Sequence, residues 1–253
     1  MRTITIDGMS FPVLERHVKG GEVPLLLING MRMELGVFNQ LKRELTFSTI
    51  NFNFPTWWSS PSWRWALSPM GDFAHKVSRL LDELGHDQVD VLGVSWGGTL
   101  AIELATQYAS RVRRLVLVST TARPHRMWRP VNLKAYLNQD YGGEISQDQA
   151  FMTEVKSGAG SSPLLTDAYR GVALPFWVGA ARLPFVTQPT CIINGTDDTI
   201  TPQAEAEYMH HRIQNSSLTL VPRAGHLLIC SDPKPVAKTV NDFLAKDQTA
   251  FTK

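Results

Sequence analysis

The fold is decided by one stretch of sequence, Val89-Asp90-Val91-Leu92-Gly93-Val94-Ser95-Trp96-Gly97-Gly98. Residues 89–94 are mostly apolar and include three valines, which predicts a buried strand, and a helical pattern follows over residues 99–108. The turn between them has the form Gly-x-Ser-x-Gly. A serine on so sharp a strand-to-helix turn projects above the sheet, and the glycines let strand and helix backbones approach closely. Ser95 is therefore a candidate nucleophile.

On both sides of this stretch, short apolar segments alternate with helical ones from residue 25 onward. That alternation predicts an α/β fold, with a mostly parallel sheet and helices on both of its faces. The predicted strands cover residues 2–6, 11–18, 25–28, 48–54, 89–94, 112–119, 189–193 and 218–221. The predicted helices cover residues 70–84, 99–108, 202–213 and 233–244.

One region interrupts the alternation, between Thr121 and Gln188. It contains helical pieces at residues 146–155 and 164–174, together with scattered glycines and prolines. We interpret residues 122–187 as a lid inserted into a core formed by residues 1–121 and 188–253. The alternative is an irregular part of the core itself.

A serine becomes a useful nucleophile only when a base accepts its proton. Of the 7 histidines, His226 follows the last predicted strand in the context Pro222-Arg223-Ala224-Gly225-His226. A loop after a terminal parallel strand lies at the same edge of the sheet as Ser95. His226 is therefore the predicted base, and His125, in or near the insertion, is a weaker rival.

The base in turn needs an acid that fixes its tautomer. Asp197 and Asp198 both come directly after the strand at residues 189–193. Either carboxylate would complete the chain order Ser, Asp, His, which is one of the known orders of such triads. The structural alternative is that these aspartates shape the turn and cap the helix that starts near Pro202.

Acyl transfer also requires N–H groups directed at the developing oxyanion. One donor is expected from the residue after the nucleophile, Trp96, and the other from the loop after the strand at residues 25–28, at Met31. Gly30 would let that backbone come close to the reacting atoms. A simple turn after the strand is the alternative interpretation.

Composition excludes several classes of function. The net charge of +2 and the lack of a basic run argue against nucleic-acid binding. The apolar run at residues 25–28 is too short to span a membrane. Residues 1–10 lack the apolar core of a signal peptide, which favours a cytoplasmic location. In that compartment we expect Cys191 and Cys230 to be reduced thiols. No metal-ligand spacing and no dinucleotide fingerprint occur, so we expect neither a metal nor a cofactor.

The sequence contains 7 tryptophans, and four of them cluster at Trp57, Trp58, Trp63 and Trp65. Such a cluster either fixes a loop to the core or forms an apolar wall around a site. The loop that contains Trp57 and Trp58 follows a predicted strand and should border Ser95. We expect Trp57, Trp58, Asn29 and the insertion residue Trp177 to contact the substrate.

These motifs together resemble the α/β-hydrolase superfamily over nearly the whole chain. Within it, the sequence is most similar to intracellular poly(3-hydroxyalkanoate) depolymerases of the medium-chain type. The motifs that carry this similarity are Ile28-Asn29-Gly30, Gly93-Val94-Ser95-Trp96-Gly97-Gly98, Tyr141-Gly142-Gly143, Arg212-Ile213-Gln214-Asn215 and Gly225-His226-Leu227. The resemblance implies an α/β-hydrolase fold with a sheet of about eight strands and a helical lid. In that fold, the positions of Gly195 and Pro202 select Asp198 as the acid.

The resemblance implies a cofactor-free serine hydrolase that cleaves carboxylic esters through an acyl-enzyme. The expected substrate is a hydrophobic ester of medium-chain 3-hydroxyacyl units, and the surface of a polyester granule is an expected partner. A small-molecule carboxylesterase or thioesterase is the main alternative. A carbon–carbon hydrolase and a perhydrolase on the same scaffold are less favoured, although the sequence does not separate them from an ester hydrolase, because the same triad serves all three. A non-catalytic ligand binder is also less favoured, since a binder has no need to keep Ser95, Asp198 and His226.

Overall fold

The computed structural model describes residues 1–19, 23–31, 33, 35–54, 64, 67–124, 174 and 177–246, and every structural statement below concerns those residues. Several predictions lie outside them. These are Trp57, Trp58, the rival base His125, the helical piece at residues 146–155 and nearly all of that at residues 164–174.

The described residues form one sheet of eight strands in the spatial order β1-β2-β4-β3-β5-β6-β7-β8. The strands are β1 (Arg2–Ile6), β2 (Met9–Arg16), β3 (Leu25–Ile28), β4 (Thr49–Phe52), β5 (Val89–Val94), β6 (Val112–Val118), β7 (Thr190–Gly195) and β8 (Ser216–Val221). Strand β2 is antiparallel to β1 and to β4, while the pairs from β4 to β8 are all parallel. The predicted mostly parallel sheet is confirmed.

Helices connect parallel strands or follow the last of them. They are α1 (Asn39–Glu44), α2 (Pro69–Leu84), α3 (Trp96–Gln107), α4 (Gln203–Arg212), α5 (Leu228–Ser231) and α6 (Pro233–Leu244). Short 3₁₀ helices cover Leu35–Phe38, Ala109–Arg111, Gly179–Ala181 and Leu183–Phe185. Helix α3 begins directly after Ser95, three residues before the start that its apolar pattern predicts.

Buried side chains cover both faces of the sheet, as the wholly apolar strands require. Along β3, Leu26 and Ile28 pack in a cluster that includes residues of α2 and α3. Leu25 and Leu27 point the other way, into a cluster that includes residues of α1 and α6. Because successive strand residues face opposite sides, the three leucines and one isoleucine of this short strand contribute to both layers of the core.

A buried carboxylate fixes residues 177–182, ahead of β7. Glu103 on α3 is 1% exposed, and its Oε2 accepts hydrogen bonds from Trp177 Nε1 at 2.7 Å and from Arg182 Nε at 2.6 Å. Burial raises the pKa of the Glu103 carboxyl above its usual value, and the bonds from Trp177 and Arg182 lower it in part. We call residues 177–182 the return stem.

A second buried carboxylate fixes residues 121–123, after β6. Glu205 on α4 accepts from Thr121 Oγ1 at 2.6 Å and from the guanidinium of Arg123 at 2.9 and 3.0 Å. The same guanidinium lies 3.6 Å from the ring centroid of Tyr208, a cation–π distance. We call residues 121–123 the exit stem. The described parts of the predicted insertion are thus held by helices of the core, and its boundaries at residues 122 and 187 stay a prediction.

Within the described ranges, the helices are too short or too polar to cross a bilayer.

The glycines at the turn after β5 are predicted to be irreplaceable. A Cβ on Gly93 would lie 2.4 Å from the carbonyl oxygen of Gly97, so Gly93→Ala should lower the free energy of unfolding by more than about 2 kcal/mol. Gly85, at the end of α2, is the matched control. It has a positive φ of 75° but open space around its missing side chain, and Gly85→Asn should cost less than about 1 kcal/mol. Urea unfolding of both variants checks this, and equal losses would contradict it.

Candidate active site

Ser95 lies between the end of β5 and the start of α3, with backbone angles of φ 53° and ψ −121°. A positive φ is costly for a residue with a Cβ and persists only where the surroundings enforce it. Here the enforcing contacts are between backbones. A Cβ on Gly97 would lie 2.1 Å from the carbonyl oxygen of Ile28, so α3 packs directly on the end of β3.

Hydrogen bonds hold the serine backbone in this strained form. The N–H of Ser95 donates to the carbonyl of Val118 on β6 at 3.0 Å. Its carbonyl accepts from Thr120 Oγ1 at 2.6 Å and from the N–H of Gly98 at 2.9 Å. The end of β6 and the first turn of α3 therefore fix the backbone of Ser95, whose residue is 8% exposed.

His226 is buried at the end of the loop after β8, and its Nε2 lies 3.0 Å from Ser95 Oγ. Close backbone packing sets this loop as well. A Cβ on Gly195, the last residue of β7, would lie 2.1 Å from the carbonyl oxygen of Ala224. That carbonyl accepts a hydrogen bond from the N–H of Asp197 at 3.0 Å. The glycine thus brings the histidine loop against the acid loop.

Of the two adjacent aspartates, Asp198 faces the histidine. His226 Nδ1 lies 2.9 Å from Oδ2 and 3.0 Å from Oδ1 of Asp198, whose side chain is buried. Asp197 is exposed, and its Oδ1 accepts from Thr196 Oγ1 at 2.8 Å. Because an ionised carboxylate can only accept, Nδ1 carries the imidazole proton and Nε2 is left to accept the proton of Ser95.

Asp198 also receives donors from its own loop. Oδ1 accepts from the N–H groups of Ile200 at 2.9 Å and Thr201 at 2.7 Å, and Oδ2 accepts from Thr201 Oγ1 at 2.8 Å. Buried carboxylates need such donors to remain charged. Thr201 is a residue of the site that the sequence motifs did not point to. The available signal was a hydroxyl residue three positions after the acid, one position beyond the N–H group that an Asx turn bonds.

The loop after β3 lies directly beside the serine. A Cβ on Gly30 would be 3.1 Å from Ser95 Cβ, so glycine permits this approach. The following residue, Met31, is half-buried against the core. The structure therefore brings together the loop of Met31, the serine and the N-terminus of α3 at Trp96, where backbone N–H groups and the helix dipole favour negative charge.

Asn29 is turned into the protein. It is 1% exposed, and its Nδ2 donates to the carbonyl of Met33 at 2.8 Å and to Asn53 Oδ1 at 3.1 Å. The amide therefore ties both ends of the loop that contains Met31 to the end of β4. The expected contact of Asn29 with substrate stays a prediction.

The indole of Trp96 is part of an aromatic cluster in the core. It meets the rings of Phe54 and Phe73 edge to face, with centroids 5.3 and 5.1 Å apart. Such contacts stabilise beyond the area that they bury. Since the indole is 2% exposed, what Trp96 presents towards the serine is its backbone.

Trp177 is 6% exposed and packs in the core, where its indole donates to Glu103 as described above. Its ring also lies over the backbone of Gly179, since a Cβ there would be 2.2 Å from the indole. The structure brings Trp177 to the return stem, and its expected contact with substrate stays a prediction.

Other reactive groups in the described part of the chain do not form a second centre. No cluster of three or more histidine, cysteine or acidic side chains there has the arrangement of a metal site. Cys191 and Cys230 are both buried, and burial raises the pKa of the Cys191 thiol to about 11. That thiol therefore stays protonated near neutral pH and is a poor nucleophile.

The strand order and the serine turn are those of the α/β-hydrolase fold, and comparison with known families agrees. Residues 23–143 match the model of the alpha/beta hydrolase fold, and residues 179–250 match a family described as TAP-like protein. The chain therefore has the α/β-hydrolase fold.

Particular relatives are hydrolases and esterases. The chain is similar to a poly(3-hydroxyalkanoate) depolymerase of Ectopseudomonas oleovorans, 28% identical over 98% of this chain and 93% of the relative. It is also similar to a pimeloyl-[acyl-carrier protein] methyl ester esterase of Nitrosospira multiformis, 28% identical over 84% of this chain and 91% of the relative. The crystal structure of a hydrolase from Pseudomonas aeruginosa PA01 shares the fold, with a TM-score of 0.81 and 20% identity over 97% of this chain and 98% of that one.

The position of Trp177 yields a test that separates a structural role from substrate contact. Trp177→Phe removes a donor from the buried Glu103 carboxylate and should lower the free energy of unfolding by about 1–3 kcal/mol. Val178→Ala is the control, because Val178 is 68% exposed and should lose less than about 0.5 kcal/mol. An unchanged unfolding curve, with a KM that rises for long acyl esters, would instead assign Trp177 to the substrate.

Proposed function

We propose that the protein is a serine hydrolase of carboxylic esters, in which Ser95 is the nucleophile, His226 the general base and acid, and Asp198 the residue that orients His226. The observation that carries this proposal is the continuous chain of contacts from Ser95 Oγ to His226 Nε2 at 3.0 Å and from His226 Nδ1 to Asp198 at 2.9 Å. These distances lie within the range for proton transfer between positioned groups.

In the first half of the reaction, Ser95 Oγ attacks the ester carbonyl carbon while its proton moves to His226 Nε2. The carbonyl π electrons move to oxygen, and the backbone N–H groups of Trp96 and Met31 stabilise the resulting oxyanion. When the tetrahedral intermediate collapses, the carbon–oxygen bond to the leaving alcohol breaks. The alcohol takes the proton from His226, and the acyl group stays on Ser95.

In the second half, water replaces the alcohol. His226 Nε2 removes a proton from the water as its oxygen attacks the acyl carbon, and the same two N–H groups stabilise the second oxyanion. Collapse returns the proton to Ser95 Oγ and releases the carboxylic acid. The ion pair with Asp198 stabilises the imidazolium in each half-reaction.

Labelling with a fluorophosphonate probe tests the assignment of the nucleophile. The wild-type protein should be labelled and should hydrolyse activated esters, while Ser95→Ala should lose labelling and lower kcat by about 10⁴-fold or more. Ser110→Ala is the control. Ser110 is exposed and follows the C-terminal end of α3, whereas Ser95 precedes the N-terminal end of that helix. Equal labelling of Ser95→Ala and wild type would refute the proposal.

For the substrate, we propose hydrophobic esters of medium-chain 3-hydroxy acids, including those of a polyester. The support is the similarity over 98% of the chain to a relative named as a poly(3-hydroxyalkanoate) depolymerase. That match extends through the serine turn and both loops that contain Asp198 and His226.

A small-molecule ester is the second candidate. The similarity to a relative named as a methyl ester esterase, over 84% of this chain, supports it. Both candidates require the same chemistry at Ser95, so they differ only in the acyl and alcohol groups that are bound.

A chain-length series separates these two candidates. We expect kcat/KM for p-nitrophenyl esters to rise from the two-carbon to the eight-carbon acyl group, since each buried methylene contributes about 0.8 kcal/mol, or roughly fourfold. We also expect acid release from an emulsion of medium-chain polyhydroxyalkanoate, with Ser95→Ala as the blank. Activity on short esters with none on the polymer would reject the first candidate in favour of the second.

A further inference from the structure

Thr201 lies in contact with both ionisable members of the triad. It is 1% exposed, and its hydroxyl is 2.8 Å from Asp198 Oδ2 and 3.2 Å from His226 Nδ1. The loop that contains it is fixed, because the buried side chain of Asn194 donates to the carbonyl of Thr201 at 3.1 Å and to that of Gly195 at 3.0 Å. The hydroxyl is therefore held in place by the end of β7.

The direction of each hydrogen bond follows from counting protons. A carboxylate only accepts, so the single hydroxyl proton of Thr201 is donated to Asp198 Oδ2. The hydroxyl oxygen then presents its lone pairs to His226 Nδ1, whose proton is already directed at Asp198. Thr201 Oγ1 is thus a donor to the acid and a weaker, shared acceptor for the base.

Both interactions favour one arrangement of the imidazole. The Asp198 carboxylate accepts from the Thr201 hydroxyl and from the backbone N–H groups of Ile200 and Thr201. One lone-pair position is then left to accept a further hydrogen bond, and it faces His226 Nδ1. A carboxylate has about four lone-pair positions, and the three loop donors and His226 fill them. Rotation of Asp198 away from the histidine would break three bonds in a buried site, which is costly.

We propose that Thr201 is a positioning residue of the active site, which fixes the Asp198 carboxylate and the Nδ1–H of His226 in the geometry that catalysis needs. This inference rests on the proposed function for its kinetic consequence. The hydrogen-bond geometry itself can be measured without any substrate.

The decisive comparison is between Thr201→Ser and Thr201→Ala. Both variants lose the methyl group, and they differ only in the hydroxyl. Thr201→Ser should keep kcat within about threefold of wild type, while Thr201→Ala and the isosteric Thr201→Val should lower it by about ten- to a hundredfold, the value of one hydrogen bond to a charged group. KM should change less than twofold in all three. Thr239→Val on α6, whose hydroxyl bonds only within its own helix at Pro235, is the matched control.

A proton NMR spectrum supplies a second readout that a purely structural role would not move. The Nδ1 proton of a histidine bonded to a carboxylate resonates far downfield. That resonance should be present at the same position in wild type, Thr201→Ser and Thr239→Val, and should shift upfield or broaden in Thr201→Ala.

The possible outcomes separate this inference from the proposed function. If Thr201→Ala keeps both the kcat and the resonance of Thr201→Ser, Thr201 is not a positioning residue, whatever Ser95 does. If wild type is not labelled by a serine probe, the proposed function fails. The resonance then still decides whether Thr201 orders the pair Asp198 and His226.

Discussion

The rest of the site depends on one contact, the packing of the backbone of helix α3 against the ends of strands β3 and β5 without a side chain between them. A methyl group on Gly97 would lie 2.1 Å from Ile28 O, and one on Gly93 would lie 2.4 Å from Gly97 O. This closeness leaves the chain between strand and helix only a tight, left-handed path. Ser95 occupies that path with a φ of 53°, and its side chain has to project towards His226.

The same molecule uses buried carboxylates as fixed points for its loops. A buried charge is stable only where donors surround it, so each such carboxylate determines the position of the groups that donate to it. Asp198 orders the loop after β7, Glu205 orders the exit stem and Glu103 orders the return stem. Only the first of these three has a part in the proposed chemistry, and the other two shape the surroundings of the site.

The serine turn and the loop of His226 were predictable from sequence because their signals are local. The strand pattern, the glycine spacing and the chain order all fall within short windows around Ser95 and His226. The choice between Asp197 and Asp198 is not local, since neighbours in a turn differ only in the direction of their side chains. Trp177 and Thr201 show the same limit: the indole meets Glu103, 74 residues away, and the hydroxyl meets His226, 25 residues away.

The two stems have a consequence for how such a protein can diverge. The exit stem is fixed by Glu205 and the return stem by Glu103, and each carboxylate bonds side chains of its own stem. The entropic cost of a longer segment between fixed ends grows slowly with its length, by about 0.6 kcal/mol for each doubling. A change in the length of the chain between the two stems should therefore cost little free energy of unfolding, since each stem keeps its own bonds to Glu205 or Glu103, and such a change in the gene can leave the rest of its sequence unaltered.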